Sequence, residues 1–341
     1  MLSSLRIPAL LLLVGLMAVP GQAQNAGSFA RLGFGARGLA MSNALVADAF
    51  GHASPYYNPA LAPFTAGQHL EASAALMSLD RELQFLQFAT PLQPRAGVAA
   101  GLIRAGVSGI DGRDFSGYHT QELSTDEFAF FLAFGIRIGE RVTIGTALQL
   151  FRSDYLEALS AVNTLGIDLG LTVRVTDNLI LGLTADDLLA RYTWDTSSVF
   201  ADAGRSTTDA FPRRLRLGAA YQFLQGRARV TGEYEAQFVT REGRTVRVDI
   251  VDGLPRRAVD TEDFTIRSNA LRVGAEIDLI ESFALRAGVG QGSSEETAVA
   301  PTAGFMIEQP VGALTARAEY AAKAEPYGAG ILHLITLRVF L

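Results

Sequence analysis

From about residue 68 onward the sequence repeats with a period of two. Leu165, Ile167, Leu169, Leu171, Val173 and Val175 fall on one face of a run whose other face is Gly166, Asp168, Gly170, Thr172 and Arg174. The same pattern recurs at Leu271, Val273, Ala275, Ile277 and Leu279 against Arg272, Gly274, Glu276 and Asp278. It appears again at Phe128/Phe130/Leu132/Phe134/Ile136 and at Leu215/Leu217/Tyr221/Phe223. Successive side chains point to opposite faces only in a strand, so this period predicts β-structure. Although 49% of the residues are apolar, no stretch beyond residue 23 approaches the roughly 18 uninterrupted apolar residues of a helical span. Interleaved in this way, the apolar side chains cover either the core of a soluble β-protein or the outside of a barrel facing acyl chains.

Connection lengths discriminate between the two. Strands are expected near 68–78, 82–91, 95–107, 126–138, 141–152, 162–175, 178–189, 212–224, 227–240, 264–279, 282–291, 299–309, 312–322 and 330–341. Tight links at 91–94, 139–140, 176–177, 225–226, 280–281 and 310–311 alternate with longer ones near 108–125, 153–161, 190–211 and 241–263. Short turns on one side and longer loops on the other, with an even strand number, are the pattern of bacterial membrane barrels. The expected fold class is therefore all-β: a transmembrane antiparallel up-and-down β-barrel of about 14 strands over residues 68–341. One hairpin checks the register. A two-residue turn at Gln225-Gly226 sets Arg216 opposite Glu235 on the luminal face, and Leu217 opposite Tyr234 and Tyr221 opposite Val230 on the lipid face. The final run, Ile331, His333, Ile335, Leu337, Val339 and Leu341, resembles the terminal signal of assembled outer-membrane barrels, with Phe340 penultimate rather than last.

Residues 1–23 read as a cleaved signal peptide: Arg6, an apolar core from Ala9 to Val19, and small residues at Gly21 and Ala23. Export without any cysteine leaves no disulfides to hold the fold. These features place the protein in the outer membrane of a Gram-negative-type bacterium, with membrane lipids as partners. A net charge of −6 argues against nucleic acid as a partner. Of 29 basic residues, Lys323 alone is lysine.

Residues 24–67 do not alternate. They run through Gly35-Ala36-Arg37, Met41, Asp48 and Tyr56-Tyr57-Asn58-Pro59-Ala60. This segment resembles the PorV/PorQ branch of FadL-type outer-membrane proteins, which opens with Gly-Ala-Arg, a Met-containing run of small residues, an acidic segment and Asn-Pro-Ala. Phe211-Pro212 leading into Leu215-Arg216-Leu217-Gly218 resembles the family's mid-barrel strand. Two departures stand out: Asp48 is a single acid where the family carries two, and Leu61 replaces a glycine. The resemblance implies that 24–67 is a hatch inside the barrel, with Gly35, Ala36, Arg37, Met41, Asp48, Asn58, Pro59 and Ala60 as gate residues. It also implies either a partnership with secretion-system proteins or exported cargo, as in type IX secretion, or FadL-like passive transport of long-chain fatty acids or other hydrophobic small molecules. The protein-partner reading is the first expectation and transport the alternative.

Other signals are weaker. Gly33 to Gly38 spells G-x-G-x-x-G without the βαβ unit that a dinucleotide site needs. The four histidines, His52, His69, His119 and His333, have no metal-ligand spacing. No enzyme, metal or cofactor is therefore expected. Arg216, Glu233, Glu235, Arg272 and Glu276 are expected to line the lumen as mixed-sign pairs. Tyr118, Tyr155, Tyr192, Trp194 and Tyr327 are expected to form an aromatic girdle at the outer interface.

Overall fold

The computed structural model describes residues 26–50, 53–155, 159–251, 254–292, 299–325 and 330–341. The signal-peptide reading, His52 and Tyr327 lie outside them. The strands in chain order are β1 (His69–Leu76), β2 (Arg81–Leu92), β3 (Ala96–Arg113), β4 (His119–Ile138), β5 (Val142–Asp154), β6 (Val162–Arg174), β7 (Leu179–Asp186), β8 (Arg191–Asp195), β9 (Ser206–Ala210), β10 (Arg213–Phe223), β11 (Ala228–Val251), β12 (Leu254–Ile280), β13 (Phe283–Gly292), β14 (Ala300–Val311), β15 (Leu314–Ala324) and β16 (Ile331–Phe340). Fourteen of these strands close into one antiparallel barrel in sequence order, sealed where β1 pairs with β16. β8 and β9 form a separate two-stranded ribbon.

Alternation sorts side chains across the wall. Leu217, Leu271 and Leu337 stand on the outside with more than half their surface exposed, while Arg216, Glu276 and Arg338, on the opposite phase of the same strands, are buried inside. An outward apolar band over an inward polar face is the arrangement that a lipid layer stabilises. The β10–β11 register pairs Arg216 with Glu235, Leu217 with Tyr234 and Tyr221 with Val230, as the two-residue turn predicts. In the β14–β15 turn the tight link sits at Gly312-Ala313, two residues later than expected; Gly312 supplies the positive φ of 65° that the first position of a two-residue hairpin turn favours.

Three expected loops are in fact paired backbone. β3 and β4 continue their ladder past a register shift at Val107/Ile110 out to Arg113 and His119. β11 and β12 stay paired to Val251 and Leu254, although β10 leaves β11 at Phe238 and β13 leaves β12 at Ala270. The unflanked part is a two-stranded ribbon extending roughly 40 Å past its neighbours, at about 3.4 Å per residue. Polar, charge-rich sequence reads as loop when judged by hydropathy, but two strands already in register can carry it onward through main-chain hydrogen bonds. The third case is 190–211, where β7 ends at Asp186 and Asp187 turns with φ 58°. The Leu188 N–H then donates to the Ile167 carbonyl at 3.2 Å, and the chain enters the β8–β9 ribbon.

The segment 26–64 lies inside the barrel. It contains a 3-10 turn (Ser28–Arg31), a short helix α1 (Gly35–Ala40) and a 3-10 stretch (Pro59–Phe64). α1 packs against β13–β16, and the 3-10 stretch packs against β2–β6.

Candidate functional site: the plugged lumen

The wall is built to receive this plug. Gly97, Gly135, Gly145 and Gly170 are direct cross-strand neighbours from β3 to β6. Gly182 and Gly218 pair across β7 and β10, and Gly274 and Gly288 pair across β12 and β13. At each of these positions an added Cβ would run into residues 41–63 of the plug: at Gly135 it would lie 2.6 Å from the Pro59 carbonyl oxygen, and at Gly274 2.7 Å from that of Met41. Only glycine lets two backbones approach this closely. The small residues of the plug serve the same end, since Ala36, Ala40 and Ala60 are fully buried.

Polar contacts then fix the position of the plug. Asn58 caps the 3-10 stretch by accepting from the Ala60 N–H at 2.9 Å, while its amide donates to the Val46 carbonyl at 2.7 Å and the Leu171 carbonyl at 3.3 Å. Pro59 at the first helical position has no N–H to leave unpaired. The Ala36 N–H donates to Thr336 Oγ1 at 2.8 Å, and the Val46 N–H donates to Glu233 at 3.2 Å. Arg216 donates to the Tyr57 carbonyl at 2.6 Å and to Asp186 at 2.7 Å. Burial pushes the Tyr57 phenol well above its ordinary pKa, so it remains a neutral donor.

Arg37 is the electrostatic hub. Its guanidinium bridges Asp48 within the plug and Glu276 of the wall, the latter at 2.8 Å. Glu276 also takes Arg229 and, at 2.7 Å, Arg286, which passes to Glu319 at 2.9 Å. A separate pair, Arg338–Glu71 at 2.6 Å, closes the β1–β16 seam from inside. The expected gate residues therefore divide into two groups. Gly35, Ala36, Arg37, Met41 and Asp48 lie toward β10–β16, and Asn58, Pro59 and Ala60 lie against β4–β6. Of the expected lumen residues, Glu276 touches Arg37, whereas Arg216, Glu233, Glu235 and Arg272 line a cavity of about 280 Å³ between wall and plug, shared with Gln149 and Asp168 of the wall and Arg31, Asn43 and Tyr56 of the plug. Arg272 reaches Glu233 at 3.1 Å and Glu235 at 3.0 Å.

The lumen is not polar all round. Leu83, Phe85, Ile103, Phe131 and Phe151 point inward from β2–β5 and are buried with Phe29 and Phe34 of the plug. Phe34 sits 5.0 Å from Phe85 and 5.8 Å from Phe131, ring centre to ring centre. This apolar strip continues to the mouth, where Tyr192 and Phe211 cover Phe151. Tyr192, expected in a lipid-facing girdle, is only 1% exposed and faces the lumen together with Trp194, because the β8–β9 ribbon folds over the opening instead of standing at the interface. Tyr118 is 73% exposed. The signal for the inward strip is present in the sequence as runs that break the alternation, such as Phe130-Phe131-Leu132, where both faces are apolar.

A closed fourteen-strand barrel with its own N-terminal segment folded into the lumen defines the structural class. No protein-family model matches the sequence, and no curated protein matches it. Among solved structures the fold is similar to that of the Pseudomonas putida toluene transporter TodX, with a TM-score of 0.58, 14% identity, and coverage of 90% of this chain and 96% of that one. It is also similar to the CymD monoaromatic hydrocarbon channel (TM-score 0.54, 14% identity, 90% and 96% covered) and to a FadL homologue of Pseudomonas aeruginosa (0.57, 10%, 90% and 98%). The fold of this chain is thus shared with these barrels.

Proposed function

We propose that this chain is an outer-membrane channel for small hydrophobic or amphipathic molecules, with residues 26–64 as its gate. The observation that carries this reading is the inward apolar strip. A barrel stabilised by luminal ion pairs has no need of Leu83, Phe85, Ile103, Phe131 and Phe151 on its inner face, yet they run continuously from the plug to the mouth. An apolar solute gains roughly 25 cal/mol for each Å² of its surface removed from water. The strip therefore gives such a solute a favoured route down one side of the lumen. The likeness to hydrocarbon channels of the same fold supports the reading. To test it, the purified protein is reconstituted in liposomes and toluene entry is followed. Entry should exceed that of protein-free liposomes and rise again when residues 26–60 are removed. Toluene entry at the protein-free rate in both preparations would refute it.

A second reading, a PorV/PorQ-like scaffold for a secretion component or exported cargo, draws on the Gly-Ala-Arg and Asn-Pro-Ala motifs. It draws also on the β11–β12 ribbon, whose two free backbone edges project past the rim and offer unpaired N–H and C=O groups to an extended chain. Stoichiometric co-purification of a protein partner, lost on shortening that ribbon, would favour this reading over transport.

A further inference from the structure

The mouth of the lumen contains polar groups that neither the plug nor the ion-pair network satisfies. β5 presents Phe151 and Ser153 on its inward face, and Tyr155 follows directly after its last residue. From Phe151 a chain of rings runs outward through the ribbon and returns to the end of the same strand. Phe151 lies 4.7 Å from Phe211, Phe211 5.0 Å from Tyr192, Tyr192 5.7 Å from Trp194, and Trp194 stacks on Tyr155 at 5.2 Å. Ser153, between Phe151 and Tyr155, is fully buried, and its hydroxyl makes no well-formed hydrogen bond, its polar neighbour being the Tyr155 hydroxyl, which also approaches Glu127. A hydrogen-bond partner is also missing at the Tyr192 hydroxyl, on a side chain 1% exposed, and at Oε1 of Glu127, the direct cross-strand neighbour of Ser153. Buried polar atoms that lack partners cost free energy in every fold, and a cluster of three inside an aromatic enclosure is an arrangement that a ligand would complete.

The three groups define what that ligand must carry. Oε1 of Glu127 accepts and calls for a donor, whereas the Ser153 and Tyr192 hydroxyls can each donate to a lone pair. A phenolic hydroxyl supplies one donor and lone pairs on a single atom, attached to a ring that the surrounding rings can stack against. A hydrocarbon would leave the Tyr192 hydroxyl and Oε1 of Glu127 unpaired, with Ser153 and the rest of the Glu127 carboxyl group served only by Tyr155. A carboxylate would set a second acid beside Glu127, and Arg31 of the plug, which acts electrostatically on Glu127, disfavours an additional cation there. We infer that the mouth holds a capture site for a small, neutral hydroxylated aromatic molecule, its ring enclosed by Phe151, Tyr192, Trp194 and Phe211 and its hydroxyl bonded by Glu127, Ser153 and Tyr192. This rests on the channel reading and narrows its solute to phenols. The polar cavity of about 280 Å³ beneath, lined by Gln149 and Asp168, is the next station for such a molecule. Its volume is ample for one ring, since an apolar cavity of about 150 Å³ holds benzene.

Trp194 is the only tryptophan in the chain, so its emission reports on the site directly. Full-length protein in lipid nanodiscs is titrated with 4-methylphenol and with toluene, which differ by one hydroxyl. The phenol should bind at least about tenfold tighter, the loss expected when buried hydrogen-bonding groups are left unpaired. Glu127→Leu and Tyr192→Phe, each checked for folding by its shift in gel mobility on boiling, should each bring the two affinities toward parity. Equal affinities in the unaltered protein, or tighter binding of 4-methylbenzoate or benzylammonium than of the phenol, would overturn the assignment. So would a preference unchanged in both variants. Toluene entry into liposomes separates the two proposals. Entry without phenol preference leaves the channel and removes the site, whereas phenol preference with no entry of either compound leaves the site and removes the channel.

Discussion

Arg37 shows how much a single side chain can hold in this barrel. It is 3% exposed and lies between Asp48 and Glu276, which are just as buried. Removing one partner of a buried ionic cluster leaves the others uncompensated at a cost of about 3–5 kcal/mol. Arg37→Ala should therefore loosen the plug without opening the barrel. Limited proteolysis of the purified protein should cleave within 26–64 faster than in the unaltered chain, while the boiling-dependent shift on gels persists. An unchanged cleavage pattern would mean that the glycine contacts alone hold the plug. At this scale the sequence was partly legible. Arg216, Glu233 and Glu276 announce themselves as charges on the polar phase of an alternating run. Phe85, Phe131 and Phe151 do so only in part: each sits beside an outward apolar residue (Leu86, Phe130 and Leu132, Leu150), which marks a break in the alternation without saying what the second apolar face covers. Tyr192 was misplaced for a related reason: an aromatic near a strand end fits an interface girdle and a folded-over ribbon equally well until the path of the chain is known.

Hairpins were legible wherever a turn residue and a hydropathy pattern agreed. The β10–β11 register followed from Gly226 and two faces of opposite character. The outer limits of β3, β4, β11 and β12 were not, since pairing beyond the closed barrel obeys main-chain geometry and leaves no apolar stripe to read. The alternation of short and long connections nevertheless assigns sides. A tag or protease site at Arg205, in the exposed connection between β8 and β9, is expected to be reachable from outside intact cells, and tags at Gly226 and Glu281 are not. Gly253, which belongs to the same outer set in the sequence reading, falls outside the described residues. Labelling at Gly226 but not at Arg205 would invert the barrel and put the aromatic enclosure at its inner end.

For the molecule as a whole, closure is the property to test. Every barrel strand has both neighbours, so no edge is left where unfolding can start cheaply, apart from the projecting ends of β3–β4 and β11–β12. The protein should remain in the membrane fraction through alkaline extraction, and unboiled samples should migrate apart from boiled ones in detergent gels. Identical mobility together with release at high pH would mean that the closed sheet does not persist in the membrane. The close fit between wall and plug has a further consequence, for the order of events during biogenesis. The glycines on β3–β7, β10, β12 and β13 meet the plug around most of the circumference, so the waist of the tube is no wider than its contents. A cork of that girth cannot be pushed through a finished neck. It has to be in position while the sheet is still an open trough, with β1 and β16 apart, and the last ladder to zip then locks in what the first part of the chain has already laid down.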